Sequence, residues 1–258
     1  SRLICDARQA NRCHRPPPPT KLSTPAAFGG LDLTEYNIME QGFGEIFGLH
    51  DGEGPQEHPP RVACRGNEGD VGDCFYNFTI EELASWFCTF DSFSVERLAE
   101  LGMEPTTIFD DDLQKYTPVQ PGEVLIPCFR GVCMGWSWAL HLAQSIVTHQ
   151  ASLSVNGDSS DLLLDKAIVP DISPCKPVIG VYVDNLQVIG GSASSVNERM
   201  TGIVNTFQQL GIPFVVSGDE ALDRFETLGL VFDLERRCIR HRAARSWRLY
   251  MATRALLR

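Results

Sequence analysis

The clearest pattern of apolar and polar positions is Val178-Ile179-Gly180-Val181-Tyr182-Val183, then Asp184-Asn185, then Leu186-Gln187-Val188-Ile189. Two β-rich runs flanking two residues that tolerate the left-handed conformation predict a hairpin with Asp184-Asn185 as its turn. Thr79-Ile80-Glu81-Glu82 has the form of a capping box, with Ile80, Leu83, Ala84 and Phe87 at helical spacing, so a helix to about Cys88 is predicted. A short helix is expected over 95–101, stopped by Gly102. Residues 68–78 read as a strand end, a turn at Gly72 and a restart, and 123–129 with 132–134 as two strands around Arg130-Gly131. Helical patterns cover 138–147 and 196–210, with a strand at 213–216, a hairpin over 227–239 and a basic helix from about Ala243. Residues 151–174 are polar and loop-like, with at most a short helix at 162–166. At the start, 2–5 suit a strand, Pro16 to Pro19 form an extended connector, and 28–60 suit loops with one short helix. This order is α+β, with helices backing one face of an antiparallel sheet.

Composition narrows the class. With 258 residues, 43% of them hydrophobic and 21% charged, the chain can bury a core as one large domain or two interlocked ones. No apolar run approaches the ~20 residues of a membrane span, so no membrane partner is expected. No secretory leader is expected, and the chain, which begins at Ser1, is expected to be a segment of a longer polypeptide. Nine cysteines without a Cys-x-x-Cys pair argue against a zinc site or disulfide framework. Buried thiols in a reducing, intracellular compartment (cytoplasm or nucleus) are the expectation. The net charge of −11 hides an uneven distribution. Five basic residues stand against one acid up to Lys21, and eight arginines against none from Arg236 onward. Basic ends therefore flank an acidic middle, a pattern compatible with a polyanionic partner as well as with plain solvation.

Candidate chemistry lies at the hairpin tip. An apolar hairpin projects Asp184 beyond the end of its sheet, and Asp70, at the end of another predicted strand, can project a second carboxylate beside it. Two adjacent carboxylates repel unless a divalent cation neutralises them, and Mg²⁺ held by one or two carboxylates plus substrate phosphates is a common solution. Taken alone, aspartate in a hairpin turn is most often plain turn chemistry. Asp110-Asp111-Asp112 reads as a solvated acidic turn, and His141 and His149 as surface or packed histidines without a third ligand.

Five segments taken together resemble reverse transcriptases. Asp70-Val71-Gly72-Asp73-Cys74-Phe75-Tyr76 is similar to their first catalytic motif, and Met134-Gly135-Trp136-Ser137 to the turn entering the long palm helix. Tyr182-Val183-Asp184-Asn185 resembles the Tyr-x-Asp-Asp hairpin. Arg2-x-x-x-Asp6-x-Arg8-x-x-Asn11 resembles a fingers strand, and Thr227-Leu228-Gly229-Leu230-Val231-Phe232-Asp233 the primer-grip hairpin. They follow in order over most of the chain, and a retrotransposon-type member is the kind most resembled.

The resemblance implies a right-hand polymerase palm, an antiparallel sheet backed by helices, with partial fingers and the start of a thumb or connection. Residues 1–65 would be partial fingers with the Pro-rich connector, 66–242 the palm, and 243–258 the first thumb or connection helix; 91–131 also suits an insertion between fingers and palm. Asp70 and Asp184 would hold two Mg²⁺ or Mn²⁺ ions, with the Val71 carbonyl a further ligand. Asn185 replaces the family's second hairpin aspartate; its amide oxygen can ligate, with one negative charge fewer. The backbone amides of Asp73 and Cys74 would face the incoming triphosphate, Phe75 would lie under the sugar and select deoxynucleotides, and Arg2 would lie over the nucleotide. Met134 and Gly135 would leave room beside the nascent pair. Tyr182, Leu228 and Gly229 would meet the primer, and Arg240, Arg242 and Arg245 an RNA or DNA template-primer. The implied activity is RNA-directed DNA synthesis from dNTPs as part of a retroelement. The upstream fingers lysine, most of the thumb and an RNase H sequence are not found in this segment. Two alternatives stay open: a catalytically silent polymerase-like domain binding nucleic acid or protein, and an RNA polymerase sharing the palm.

Overall fold

The computed structural model describes residues 6–33, 64–110, 112–154 and 160–256. The elements in chain order are α1 (Arg8–Cys13), α2 (Pro25–Phe28), β1 (Arg65–Val71), α3 (Cys74–Asn77), a 3₁₀ helix (Glu81–Phe87), β2 (Phe93–Ser94), α4 (Val95–Glu100), β3 (Thr107–Asp110), β4 (Lys115–Pro118) and β5 (Val124–Leu125). Then follow α5 (Ala139–Leu153), β6 (Leu162–Leu163), β7 (Val178–Tyr182), β8 (Asn185–Gly190), α6 (Ala193–Gln209), β9 (Phe214–Val216), β10 (Arg224–Thr227), β11 (Leu230–Asp233), β12 (Cys238–His241) and α7 (Ala243–Leu256). The architecture is mixed α+β with mainly antiparallel sheets. The chain divides into two compact units, Ser1–Pro18 with Phe75–Ala139, and Pro19–Cys74 with Leu140–Arg258. The strand expected at 2–5, Arg2 itself and most of the loop region over 28–60 lie outside the described residues.

In the larger unit, five strands run in the order β6-β7-β8-β1-β9, with β6–β7 parallel and the other pairs antiparallel. The two central strands β7 and β8 are buried along nearly their whole length, which is why they read as continuous apolar runs rather than as alternation. On one face lies α6, which buries Val196, Met200, Ile203 and Phe207 at helical spacing and is capped by Ser192 accepting from the Ser195 N–H. On the other lies the sheet β10-β11-β12. Phe225 and Phe232 stack at 5.1 Å, and Phe28 meets Phe232 edge-on at 5.0 Å. Glycines in the larger sheet admit these rings: a Cβ on Gly66 would overlap Phe225, and one on Gly180 would overlap Phe28. Buried Asp161 ties the sheet edge to α6 through Lys176 at 3.0 Å and Arg199 at 3.2 Å.

In the smaller unit, His14, Trp86, Phe87 and Trp136 meet edge-to-face at 5.2–5.4 Å. Two short pairs, β2–β5 and β3–β4, lie within the same unit. Here α4 forms as expected, with Ser94 accepting from the Arg97 N–H and Gly102 at φ 77° after its end.

Several expectations are corrected. The capping box does not form: Thr79 bridges Gly131, Ile80 takes the cap position with no side-chain bond, and the segment winds as a 3₁₀ helix. The segment after Gly72 is a single helical turn, not a resumed strand, and Arg8–Cys13 is helix where the resemblance implied a fingers strand. The two strands expected around Arg130-Gly131 reduce to β5 and isolated bridges. Leu162–Leu163 is a strand rather than a helix, because β7 offers it a parallel partner. The hairpin expected over 227–239 is three-stranded and begins at Arg224. Cys88 and Cys128 face each other across an antiparallel bridge and are joined as a disulfide, against the expectation of thiols throughout. Their pairing spans 40 residues and has no local signature.

Gly180 tests the ring-on-glycine packing. Gly180→Ala is expected to lower the unfolding free energy by about 1–3 kcal/mol through overpacking, read as a lower urea midpoint. An unchanged midpoint would mean that the Phe28 ring moves aside freely.

Candidate active site

β1 ends at Asp70-Val71, beside the turn between β7 and β8. Asp70 stands opposite Asn185 in the antiparallel register, and the Val71 N–H donates to the Asp184 carbonyl at 2.8 Å. Tyr182 also pairs with Asn185, so the two-residue turn is Val183-Asp184, one position earlier than Asp184-Asn185. Val183 accordingly adopts φ 58°, a conformation β-branched residues rarely take.

Burial and one side chain hold it there. Val183 is buried, and so is Gln144 of α5. The Val183 N–H donates to Gln144 Oε1 at 2.7 Å, while Gln144 Nε2 donates to the Val181 carbonyl at 3.0 Å. Leaving that buried amide without its acceptor would cost about 1–3 kcal/mol. Ser23 adds to the grip, donating its N–H to the Val181 carbonyl at 2.9 Å and accepting from the Val181 N–H at 2.7 Å. Neither Gln144 nor Ser23 was singled out by the sequence, since each acts on a strand far away along the chain.

Asp70 is exposed, and Asp184 and Asn185 are half-buried. Asn185 Nδ2 donates to Asp184 Oδ1 at 2.7 Å, so the amide orients the neighbouring carboxylate. Burial, then the negative charges of Asp184 and Asp70, push the Cys74 thiol up to about 12. One thiol thus feels both carboxylates, and their potentials overlap. Gly72 donates to the Pro213 carbonyl at 2.9 Å, and Asp73 at φ 49° leads into α3. Among the described residues, no three His, Cys, Asp or Glu side chains gather as a metal site. A cation at Asp70 and Asp184 would have two carboxylates and neutral oxygens as its protein ligands, a set that suits Mg²⁺ completed by phosphate oxygens.

The turn between β10 and β11 places Leu228 at φ 51° and Gly229 at φ 73°. The Arg245 guanidinium lies over Gly229, where a Cβ would sit 2.9 Å from Nη1. Arg240 pairs with Asp233 at 3.2 Å, and Arg242 with Glu226 at 2.6 Å. All of α7 is exposed.

Phe75, Met134 and Gly135 belong to the smaller unit. The Phe75 carbonyl accepts from the Val132 N–H at 3.1 Å. Gly135 has φ 114°, and Asn11 clasps its turn, donating to the Gly135 carbonyl at 2.9 Å and accepting from the Ser137 N–H at 2.7 Å. Asp110 accepts from the amides of Asp112 and Leu113, which is turn chemistry as expected; Asp111 lies outside the described residues. His141 faces Thr20 at 3.2 Å.

No family model and no curated protein matches the chain. Among solved structures, it is similar to an apo telomerase from Candida tropicalis truncated from its C-terminal domain, at a TM-score of 0.37 and 11% identity. That alignment covers 80% of this chain and 38% of the telomerase chain. No helix among the described residues is long and apolar enough to cross a membrane.

The raised Cys74 thiol predicts an alkaline effect. Its folded-state value lies above the ordinary 9.0, so its stabilising contribution is complete below pH 9 and is lost as pH rises toward about 12. Unfolding free energies followed across that window are expected to fall less steeply for Cys74→Ser than for the parent. Parallel curves would refute this placement of the thiol.

Proposed function

We propose that the chain carries the active centre of a template-directed nucleotidyltransferase of reverse-transcriptase type, part of a retroelement. Its reaction adds deoxynucleotides to a primer 3′-hydroxyl on RNA, and also DNA, templates. The observation that carries this reading is the meeting of Asp70 and Asp184 at adjoining ends of antiparallel neighbours, far apart in sequence. Two Mg²⁺ or Mn²⁺ ions, when bound, lower the hydroxyl's pKa and take up charge on the transferring phosphoryl group.

The chain's own residues do the rest. Asp70 and Asp184 supply the negative charge that attracts cations, with the Val71 carbonyl beside them, and Asn185 sets the orientation of Asp184. The Asp73 and Cys74 amides face the triphosphate, and the resemblance alone gives Arg2 a role at the nucleotide. From the resemblance alone come the roles of Phe75 in selecting deoxynucleotides and of Met134 and Gly135 beside the base pair. Tyr182, Leu228 and Gly229 support the primer end. Arg245 meets a phosphate directly, whereas Arg240 and Arg242 must first exchange a carboxylate partner for phosphate.

One observation favours the rival reading of a silent nucleic-acid-binding domain: an amide, Asn185, stands where the family has a second acid. Primer extension with Mg²⁺ or Mn²⁺ separates the two. Asp70→Asn and Asp184→Asn are each expected to reduce incorporation about 100-fold or more, and equal activity in parent and variants would refute the assignment. Asn185→Asp is expected to lower the Mg²⁺ concentration that extension requires; an unchanged or raised requirement removes Asn185 from the ion site. Phe75→Val is expected to admit ribonucleotides, and a parent that already accepts them equally would overturn the sugar-selection role.

A further inference from the structure

The two sheets of the larger unit meet across a seam of rings and small residues. Phe225, Phe232 and Phe28 pack there with Val178, Ile189 and Leu230. Such contacts are non-directional, so they hold the sheets together without fixing how far one slides over the other. A polar link crosses this apolar seam. Gln187 of β8, with no exposed surface, donates from Nε2 to Thr227 Oγ1 at 2.8 Å, and Thr227 is only 3% exposed. Gln187 shares its strand face with Ile189, and its cross-strand neighbour Gly180 leaves space for the Phe28 ring.

Both ends of this link are well placed to act. Gln187 lies three residues beyond Asp184 on the strand leaving the turn, and Thr227 is the last residue of β10 before the Leu228-Gly229 turn. Stability alone gives no reason for an amide here, since Gln187 Oε1 is buried without a partner and that carries a desolvation cost. A directional bond in an apolar seam does supply register, which ring packing does not.

We infer that Gln187 and Thr227 are positioning residues that set the Leu228-Gly229 turn against the hairpin bearing Asp184. Given the proposed function, which this step rests on, the link sets where the primer end lies relative to the two carboxylates. It does not touch the ions or the nucleotide.

The test uses the whole chain and two readouts. Gln187→Met removes the amide at similar volume, Thr227→Val removes the hydroxyl alone, and Thr227→Ser keeps it. Amide hydrogen exchange at 228–230 is expected to rise about tenfold in Gln187→Met and in Thr227→Val, while 186–189 change less than about twofold. The unfolding midpoint of Gln187→Met should change little, because the orphan oxygen is gone while Thr227 Oγ1 loses its donor. The double variant should exchange no more than about twofold faster than either single, and Thr227→Ser should match the parent. Unchanged exchange at the turn in both single variants, or effects that multiply in the double, overturns the inference. Should Gln187→Met fail to fold, Thr227→Val against Thr227→Ser decides. In primer extension the same variants should raise the primer KM about tenfold with kcat within about twofold. Faster exchange with an unchanged primer KM would uphold the positioning and remove the turn's primer role from the proposed function.

Discussion

The antiparallel register of β1 against β8 is the constraint on which the candidate site rests. With Asp70 opposite Asn185, the end of one strand adjoins the turn leading into the other, and two carboxylates distant in sequence become neighbours. A slip of one residue would move every β1 side chain to the opposite face and separate the pair. Within the same sheet Gly69 supports this register, since a Cβ at its position would overlap the Phe214 ring of neighbouring β9. Packing deep in the sheet thereby dictates geometry at its exposed end.

The turn itself is the second requirement. A tight hairpin between two buried strands projects Asp184 outward, and the backbone there accepts an unfavourable conformation at Val183. Gln144, Ser23 and the buried valine side chain over-determine that conformation from three directions. Strain of this sort persists only where surrounding structure enforces it. Asn185 then contributes by its amide hydrogen, orienting the carboxylate that precedes it.

Much of this was legible in the chain. The apolar runs on either side of Asp184 announced a hairpin because both strands lie in the sheet interior, and the pattern of α6 announced a helix because one face alone is buried. The turn was misplaced by one residue, since Asp-Asn has the better local preference and burial of Val183 overrode it. The 3₁₀ helix was misread for the opposite reason: Thr79 had a cross-chain partner at Gly131 and was not available as a cap. Gln144, the clasp made by Asn11 and the link made by Gln187 stayed invisible because each bonds to a segment distant in sequence, and no local pattern marks such a bond.

The Cys88–Cys128 bond has a consequence of a different kind. It closes a loop over a separation of 40 residues, and in the chain-entropy view such a closure withholds roughly 4 kcal/mol of disorder from the unfolded ensemble. The smaller unit leaves Trp86 half exposed and Phe90 wholly so, and it gathers its buried rings around Trp136. Its persistence is therefore tied to the electron balance of its surroundings: where thiol reductants prevail, that unit must hold together on its ring cluster, short strand pairs and hydrogen bonds without that closure.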